Sequence, residues 1–194
     1  MPQLYMIGGA NGAGKTTSAL AVLPTLVQCE EYVNADAIAA ALSPFNPEKH
    51  AIEAGRIMLK QLHTLSQSGC DFAFETTMAA RGFVNFLKNC KELGYTINLL
   101  FFYLEDMELA KQRVAYRVAR GGHDIPTEVI ERRYKNGLHN FFNLYLALAD
   151  TWVFYNNSHE NAEIIAEQSQ NDSIEIYNAK LWTQLRDNFY ENSN

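Results

Sequence analysis

Apolar positions along this chain fall into two rhythms. Continuous apolar runs at Leu4–Gly8, Asp71–Glu75, Thr96–Leu104 and Trp152–Asn156 read as strands, with Glu31–Asn34 as a shorter one. Thr96–Leu104 (TINLLFFYL) has the composition of a sheet centre buried on both faces. Between these runs, apolar residues recur at three- and four-residue steps, the signature of helices with one buried face. Such helices are expected over Gly14–Leu23, Asp36–Leu42, Glu48–Ser68, Ala79–Leu93 and Asp106–Arg120, and in a long segment starting at Pro126. Glu48–Ser68 carries Ile52, Gly55, Leu59, Leu62 and Leu65 at helical spacing, with Gly69 at its stop. The segment after Pro126 carries Ile130, Tyr134, Leu138, Phe141, Tyr145 and Leu148 as its buried face. Ala162–Gln168 and Ser173–Asn178 are expected to form a hairpin across Gln170-Asn171-Asp172. Lys180–Tyr190 closes the chain as a helix, beyond which Glu191–Asn194 frays. Alternating strands and helices predict an α/β three-layer sandwich around a mainly parallel sheet, with a small C-terminal hairpin and helix.

The chemistry begins where the first strand ends. Gly9-Ala10-Asn11-Gly12-Ala13-Gly14-Lys15-Thr16 matches G-x-x-x-x-G-K-[ST] at every fixed position, between a strand-like run and a helix-like one. Glycines let consecutive backbone N–H groups turn inward around a phosphate, and the helix behind them points its positive end at the same place. Lys15 can reach the β- and γ-phosphates of a nucleoside triphosphate. Thr16, followed by Thr17, supplies a hydroxyl for Mg²⁺. The motif therefore predicts binding of a nucleoside triphosphate with Mg²⁺ and leaves open what becomes of the γ-phosphate.

In such sheets, ligands lie beyond the carboxyl ends of the strands. Asp36 follows the second strand; it is either the base for an acceptor hydroxyl or an N-cap or first-turn acid of the next helix. Glu75 ends the third strand, as a holder of Mg²⁺, a contact to the acceptor or a structural acid. Thr76 and Thr77 beside it are either helix caps or hydroxyl contacts to substrate. Arg113, Arg117 and Arg120 share one helical face ahead of Gly121-Gly122, as a solvated stripe or as a lid spanning about residues 105–125. Of Arg132 and Arg133, one is expected to point back into the cleft. His123 beside the lid is expected to do no more than hydrogen-bond.

Bulk properties narrow the field. The 194 residues fit one domain, 1–194, with 47% hydrophobic and 20% charged residues. A net charge of −6 argues against a nucleic-acid partner. Cys29, Cys70 and Cys90 form no C-x-x-C pair, no apolar run is long enough for a membrane span, and the first strand starts almost at Met1, which together predict a cytoplasmic protein. No N-K-x-D tetrad and no transporter-type ATPase signature occurs, so the acids at the strand ends and the arginine helix suit a small-molecule kinase.

Gly8–Thr17, Val33–Ala39 (VNADAIA), Ala54-Gly55-Arg56, Phe72–Thr77 (FAFETT), Arg113–His123 (RVAYRVARGGH) and Arg132-Arg133-Tyr134 together resemble the zeta-toxin family of P-loop kinases, in the family's order. The chain is similar to the short, stand-alone branch of that family. The resemblance implies phosphorylation of a hydroxyl of UDP-N-acetylglucosamine with ATP and Mg²⁺, and a small helical antitoxin as partner. It implies Lys15 and Thr16 for ATP and Mg²⁺, Asp36 as base, Glu75 with Thr76 or Thr77 at the acceptor, and Arg117 and Arg120 as phosphate clamps. The alternative class is a nucleotide-binding regulatory protein or slow ATPase.

Overall fold

The computed structural model describes residues 1–24, 29–122, 124–170 and 172–190. The elements in chain order are β1 (Gln3–Gly9), α1 (Lys15–Val22), β2 (Glu31–Val33), α2 (Ala35–Leu42), α3 (Ala51–Ser68), β3 (Phe72–Thr76), α4 (Phe83–Glu92), β4 (Thr96–Tyr103), α5 (Met107–Ala119), α6 (Thr127–Asn140), β5 (Thr151–Asn156), β6 (Glu163–Gln168), β7 (Glu175–Ile176) and α7 (Ala179–Phe189). One seven-stranded sheet runs β2-β3-β1-β4-β5-β6-β7. Its first five strands are parallel, and β6 and β7 add on antiparallel as the expected hairpin.

The apolar runs form the middle of this sheet because both of its faces are covered. On one side, α3, α4, the continuation of α6 and α7 pack on Phe72, Phe74, Phe101, Trp152 and Phe154. Trp182 of α7 stacks on Trp152 at 5.3 Å between ring centroids. On the other side, α1 and α5 pack on Ile7, Ala73 and Phe102. Each large apolar side chain taken fully out of water contributes roughly 1.5–3 kcal/mol. The three-layer α/β architecture is therefore the one the alternation predicts.

Four local expectations need correction. The helix expected over Glu48–Ser68 divides into a 3-10 turn, Pro47–His50, and α3. Proline at the first position suits that turn, and Gly69 caps α3 in the left-handed conformation at φ 71°. The face of α3 that meets the core is Ala54, Met58, Leu62 and Ser66, whereas Ile52 and Leu59 are exposed. The helix expected from Ala79 starts instead at Phe83, after a loop in which Met78 takes φ 56° with its side chain fully buried. That backbone is rare for a residue with a Cβ; Asn140 Nδ2 holds it by donating to the Met78 carbonyl at 2.8 Å. Finally, Pro126 precedes α6 rather than opening it, and after Asn140 the helix widens into a π turn over Phe141–Tyr145 and tightens into a 3-10 turn at Leu146–Leu148. The tip of the expected hairpin at Asn171, and Glu191–Asn194, lie outside the described residues.

Candidate active site

β1 delivers the chain into the glycine loop at the carboxyl edge of the sheet. Gly12 and Gly14 hold φ 79° and 82°, values that other residues rarely adopt. Gly14 caps α1, and a Cβ on it would fall 2.5 Å from the Asn157 side-chain amide. That amide donates to the Ala13 carbonyl at 2.8 Å. Arg113 adds a second brace from α5, donating to the Asn157 carbonyl at 2.8 Å and the Ser158 carbonyl at 2.9 Å. The loop is thus held from behind by the segment that follows β5. Ala10, Asn11 and Ala13 are buried within it.

Lys15 is buried and donates from Nζ to the Ala10 carbonyl at 2.9 Å. Burial pushes its pKa down, against the opposing pull of the Glu75 and Asp36 carboxylates. The Thr16 hydroxyl meets both Glu75 oxygens, at 3.0 and 2.8 Å. Tyr32 of β2 donates to Glu75 Oε2 at 2.5 Å. Burial, then this bond to a carboxylate, pushes the Tyr32 phenol far up, so it stays a donor. A hydroxyl and a carboxylate in contact are hard oxygen donors, the set that Mg²⁺ takes together with phosphate oxygens and waters. No group of three or more His, Cys, Asp or Glu side chains that could hold a metal occurs among the described residues. Thr17 follows on α1, exposed.

A cavity of about 510 Å³ opens beside the loop. It is lined by Lys15, Asp36, Glu75, Thr76, Thr77 and Arg133, drawn from α1, α2, the end of β3 and α6. The sequence named all six, and the fold brings them together. Asn34, not Asp36, caps α2: its Oδ1 accepts from the backbone N–H of Asp36 at 2.8 Å and of Ala37 at 3.2 Å. Asp36 is left exposed to the cavity. Thr76 and Thr77 do not cap a helix, because α4 starts at Phe83; the Thr76 hydroxyl instead accepts from the Met78 N–H at 3.1 Å. Arg133 reaches Asn11 Oδ1 at 3.2 Å, and burial lowers its pKa against the opposing charge of Asp36. Arg132 is exposed.

The arginine stripe divides into three. Arg113 is occupied by the brace. Arg117, half-buried, lies close enough for its charge to act on Lys15. Arg120 is exposed, donates to the Tyr116 hydroxyl at 2.6 Å and lies over that ring at 5.4 Å. Neither Arg117 nor Arg120 lines the cavity. His123 lies outside the described residues. Sequence reasoning missed Tyr32, which reads as an ordinary strand aromatic.

No helix among the described residues is long and apolar enough to cross a membrane. The chain is 29% identical over 128 residues to an uncharacterized protein of Haemophilus influenzae, covering 65% of this chain and 88% of that one. A chain of the AvrRxo1-ORF1:AvrRxo1-ORF2 complex with sulphate ions superposes with a TM-score of 0.77 at 16% identity, covering 95% of this chain and 63% of that one. This chain therefore spans less than two thirds of that relative's length. A chain from the PezAT chromosomal toxin-antitoxin system of Streptococcus pneumoniae gives a TM-score of 0.62 at 16% identity, covering 100% of this chain and 80% of that one. At these identities the superpositions establish the fold. The model of the zeta toxin family matches residues 1–181, nearly the whole sequence with its glycine loop, strand-end acids and arginine helix, and the chain belongs to that family.

Proposed function

We propose that this protein transfers the γ-phosphoryl group of ATP to a hydroxyl of a small molecule, with a nucleotide sugar such as UDP-N-acetylglucosamine as the acceptor. The observation that carries this reading is one cavity walled by both the P-loop lysine, Lys15, and an exposed carboxylate, Asp36, 21 positions later in the sequence and on a different element. Family membership supports it, as does the crystallisation of the AvrRxo1-ORF1:-ORF2 complex with ATP. Asp36 accepts the proton of the acceptor hydroxyl as its oxygen attacks the γ-phosphorus. The bond from that phosphorus to the β–γ bridging oxygen breaks, and ADP leaves. Lys15 and Arg133 offset charge on the phosphates, with Arg117 adding to the field. Thr16 and Glu75 would hold Mg²⁺, which supplies charge neutralisation on the β- and γ-oxygens. Thr76 and Thr77 contact the acceptor, and the loop N–H groups from Gly9 to Thr17 bind the triphosphate. Arg120 enters as a clamp only after leaving Tyr116, which makes residues 105–125 a lid. An antitoxin-like protein is the proposed partner.

The test is incubation with ATP, Mg²⁺ and a panel of nucleotide sugars, read by mass spectrometry. Gain of one phosphate on an acceptor is expected. Loss of ATP with no phosphorylated acceptor would replace this reading with that of an ATPase or a nucleotide-regulated binding protein.

A further inference from the structure

Glu75 is buried, and no cation is bonded to its carboxylate among the described residues. Lys15 feels its charge but gives its own ammonium to the Ala10 carbonyl. Two hydroxyls hold the carboxylate instead: Thr16 Oγ1 at 3.0 and 2.8 Å, and the Tyr32 phenol at 2.5 Å. Strand register brings Tyr32 there. It pairs with Ala73, two residues before Glu75 on β3, and residues two apart on a strand share a face. Ala73 is small, so the Tyr32 ring passes over it to the next side chain on that face. Tyr32 does not line the cavity, so whatever it does for the site it does through Glu75. A hydroxyl carries one proton and two lone pairs, and Thr16 gives its proton to Glu75. The lone pairs of Thr16 are then left for a cation at the mouth of the glycine loop. Thr16 is exposed, so its bond alone competes with water for the carboxylate. Tyr32 ends that competition by fastening Oε2 from β2 with a short, charge-assisted bond.

We propose that Tyr32 is a positioning residue: its phenol holds the Glu75 carboxylate against Thr16, and so sets how strongly Mg²⁺ ties ATP to the glycine loop. Partners of this kind, one bond removed from a metal's own ligands, fix the orientation of those ligands and govern how tightly the metal is held. The proposal rests on the loop binding ATP with Mg²⁺, as proposed above, and it can fail separately.

The test is isothermal titration calorimetry of the full chain with a non-hydrolysable ATP analogue, once with Mg²⁺ and once with EDTA. The ratio of the two Kd values is the gain in affinity due to the metal. Tyr32→Phe keeps the ring and removes only the hydroxyl. It is expected to cut that ratio about tenfold, while Kd in EDTA stays within about twofold of wild type and shows the variant to be folded. In a Glu75→Gln background the same substitution is expected to change the ratio by less than about twofold, because the group it acts through is already altered. An undiminished ratio in Tyr32→Phe overturns the proposal. So does an equal loss with and without the Glu75 carboxylate, or a loss in EDTA as large as the loss in Mg²⁺, which would make Tyr32 a packing residue of the loop. A wild-type chain that binds the analogue equally well in Mg²⁺ and in EDTA removes the metal reading itself, and the proposal with it. A diminished ratio in a protein that phosphorylates no acceptor keeps the proposal and removes the kinase reading.

Discussion

Asp36 and Lys15 face the same cavity from opposite energetic positions. Asp36 is exposed and its carboxylate makes no hydrogen bond or ion pair among the described residues, so removing it breaks no direct contact and takes away only the charge it sets against Lys15 and Arg133. Asp36→Ala is expected to lower phosphotransfer by about 10²–10⁴-fold, the usual scale for an acid–base group, with ATP affinity kept within a few-fold. Transfer at close to the wild-type rate in a radiometric assay would remove Asp36 as the base. Lys15 is a buried cation, and its burial works against the charged form. Its folded-state pKa lies below the ordinary 10.5. Below that lowered value both folded and unfolded states hold the proton, and the burial penalty is fully present. As pH rises from there towards 10.5, the folded state sheds its proton first and the penalty is relieved, so stability rises. Lys15→Met is therefore expected to match or exceed the wild-type Tm without nucleotide, to narrow that lead as pH rises through this window, and to lose transfer. A variant that melts well below wild type at neutral pH contradicts this account. Lys15 and Thr16 were legible in the sequence because the backbone geometry of a phosphate loop demands fixed spacing. Tyr32 was not, because only the pairing of β2 with β3 brings its hydroxyl to Glu75.

The elements show where hydrophobic pattern informs and where it misleads. The strands were legible because a sheet covered on both faces writes unbroken apolar runs. On α3 the same pattern held for Leu62 and Leu65, which pack in the core, and misled for Ile52, Gly55 and Leu59, which repeat at helical spacing but line the cavity; periodicity does not distinguish a face reserved for the core from one facing a cleft. The loop between β3 and α4 was read as helix because its shape is imposed from outside. Asn140 on α6 holds the Met78 carbonyl, Tyr145 in the π turn donates to the Ala80 carbonyl, and the Met78 side chain packs where a Cβ on Gly8 would otherwise lie. Asn140→Ala leaves the buried end of that loop without its donor. It is expected to destabilise the protein by about 1–3 kcal/mol in urea denaturation, with the Thr76–Thr77 side of the cavity loosened. A change within about 0.5 kcal/mol would show that the loop holds its left-handed turn without α6.

At the scale of the whole molecule, strand order explains the site. β1, β3 and β2 lie side by side, so the glycine loop after β1, Glu75 at the end of β3 and Asp36 after β2 form a row along one edge. The sequence supplied each member of the row, but not the order, because the crossovers that set it leave no local pattern. One ligand touching all three elements should hold them together. ATP with Mg²⁺ at one hundred times its Kd is expected to stabilise the fold by about 2.7 kcal/mol, visible as a rise in Tm that EDTA reduces. An unchanged Tm under saturating ATP and Mg²⁺ would contradict nucleotide binding at the loop. The same sheet ends in β2, three residues long, and in β7, two residues long. Such brief margins offer a neighbouring chain almost no unpaired backbone to zip onto, so the molecule should resist strand-to-strand aggregation when concentrated, and a protein partner must engage it through side chains and helix surfaces rather than by extending the sheet.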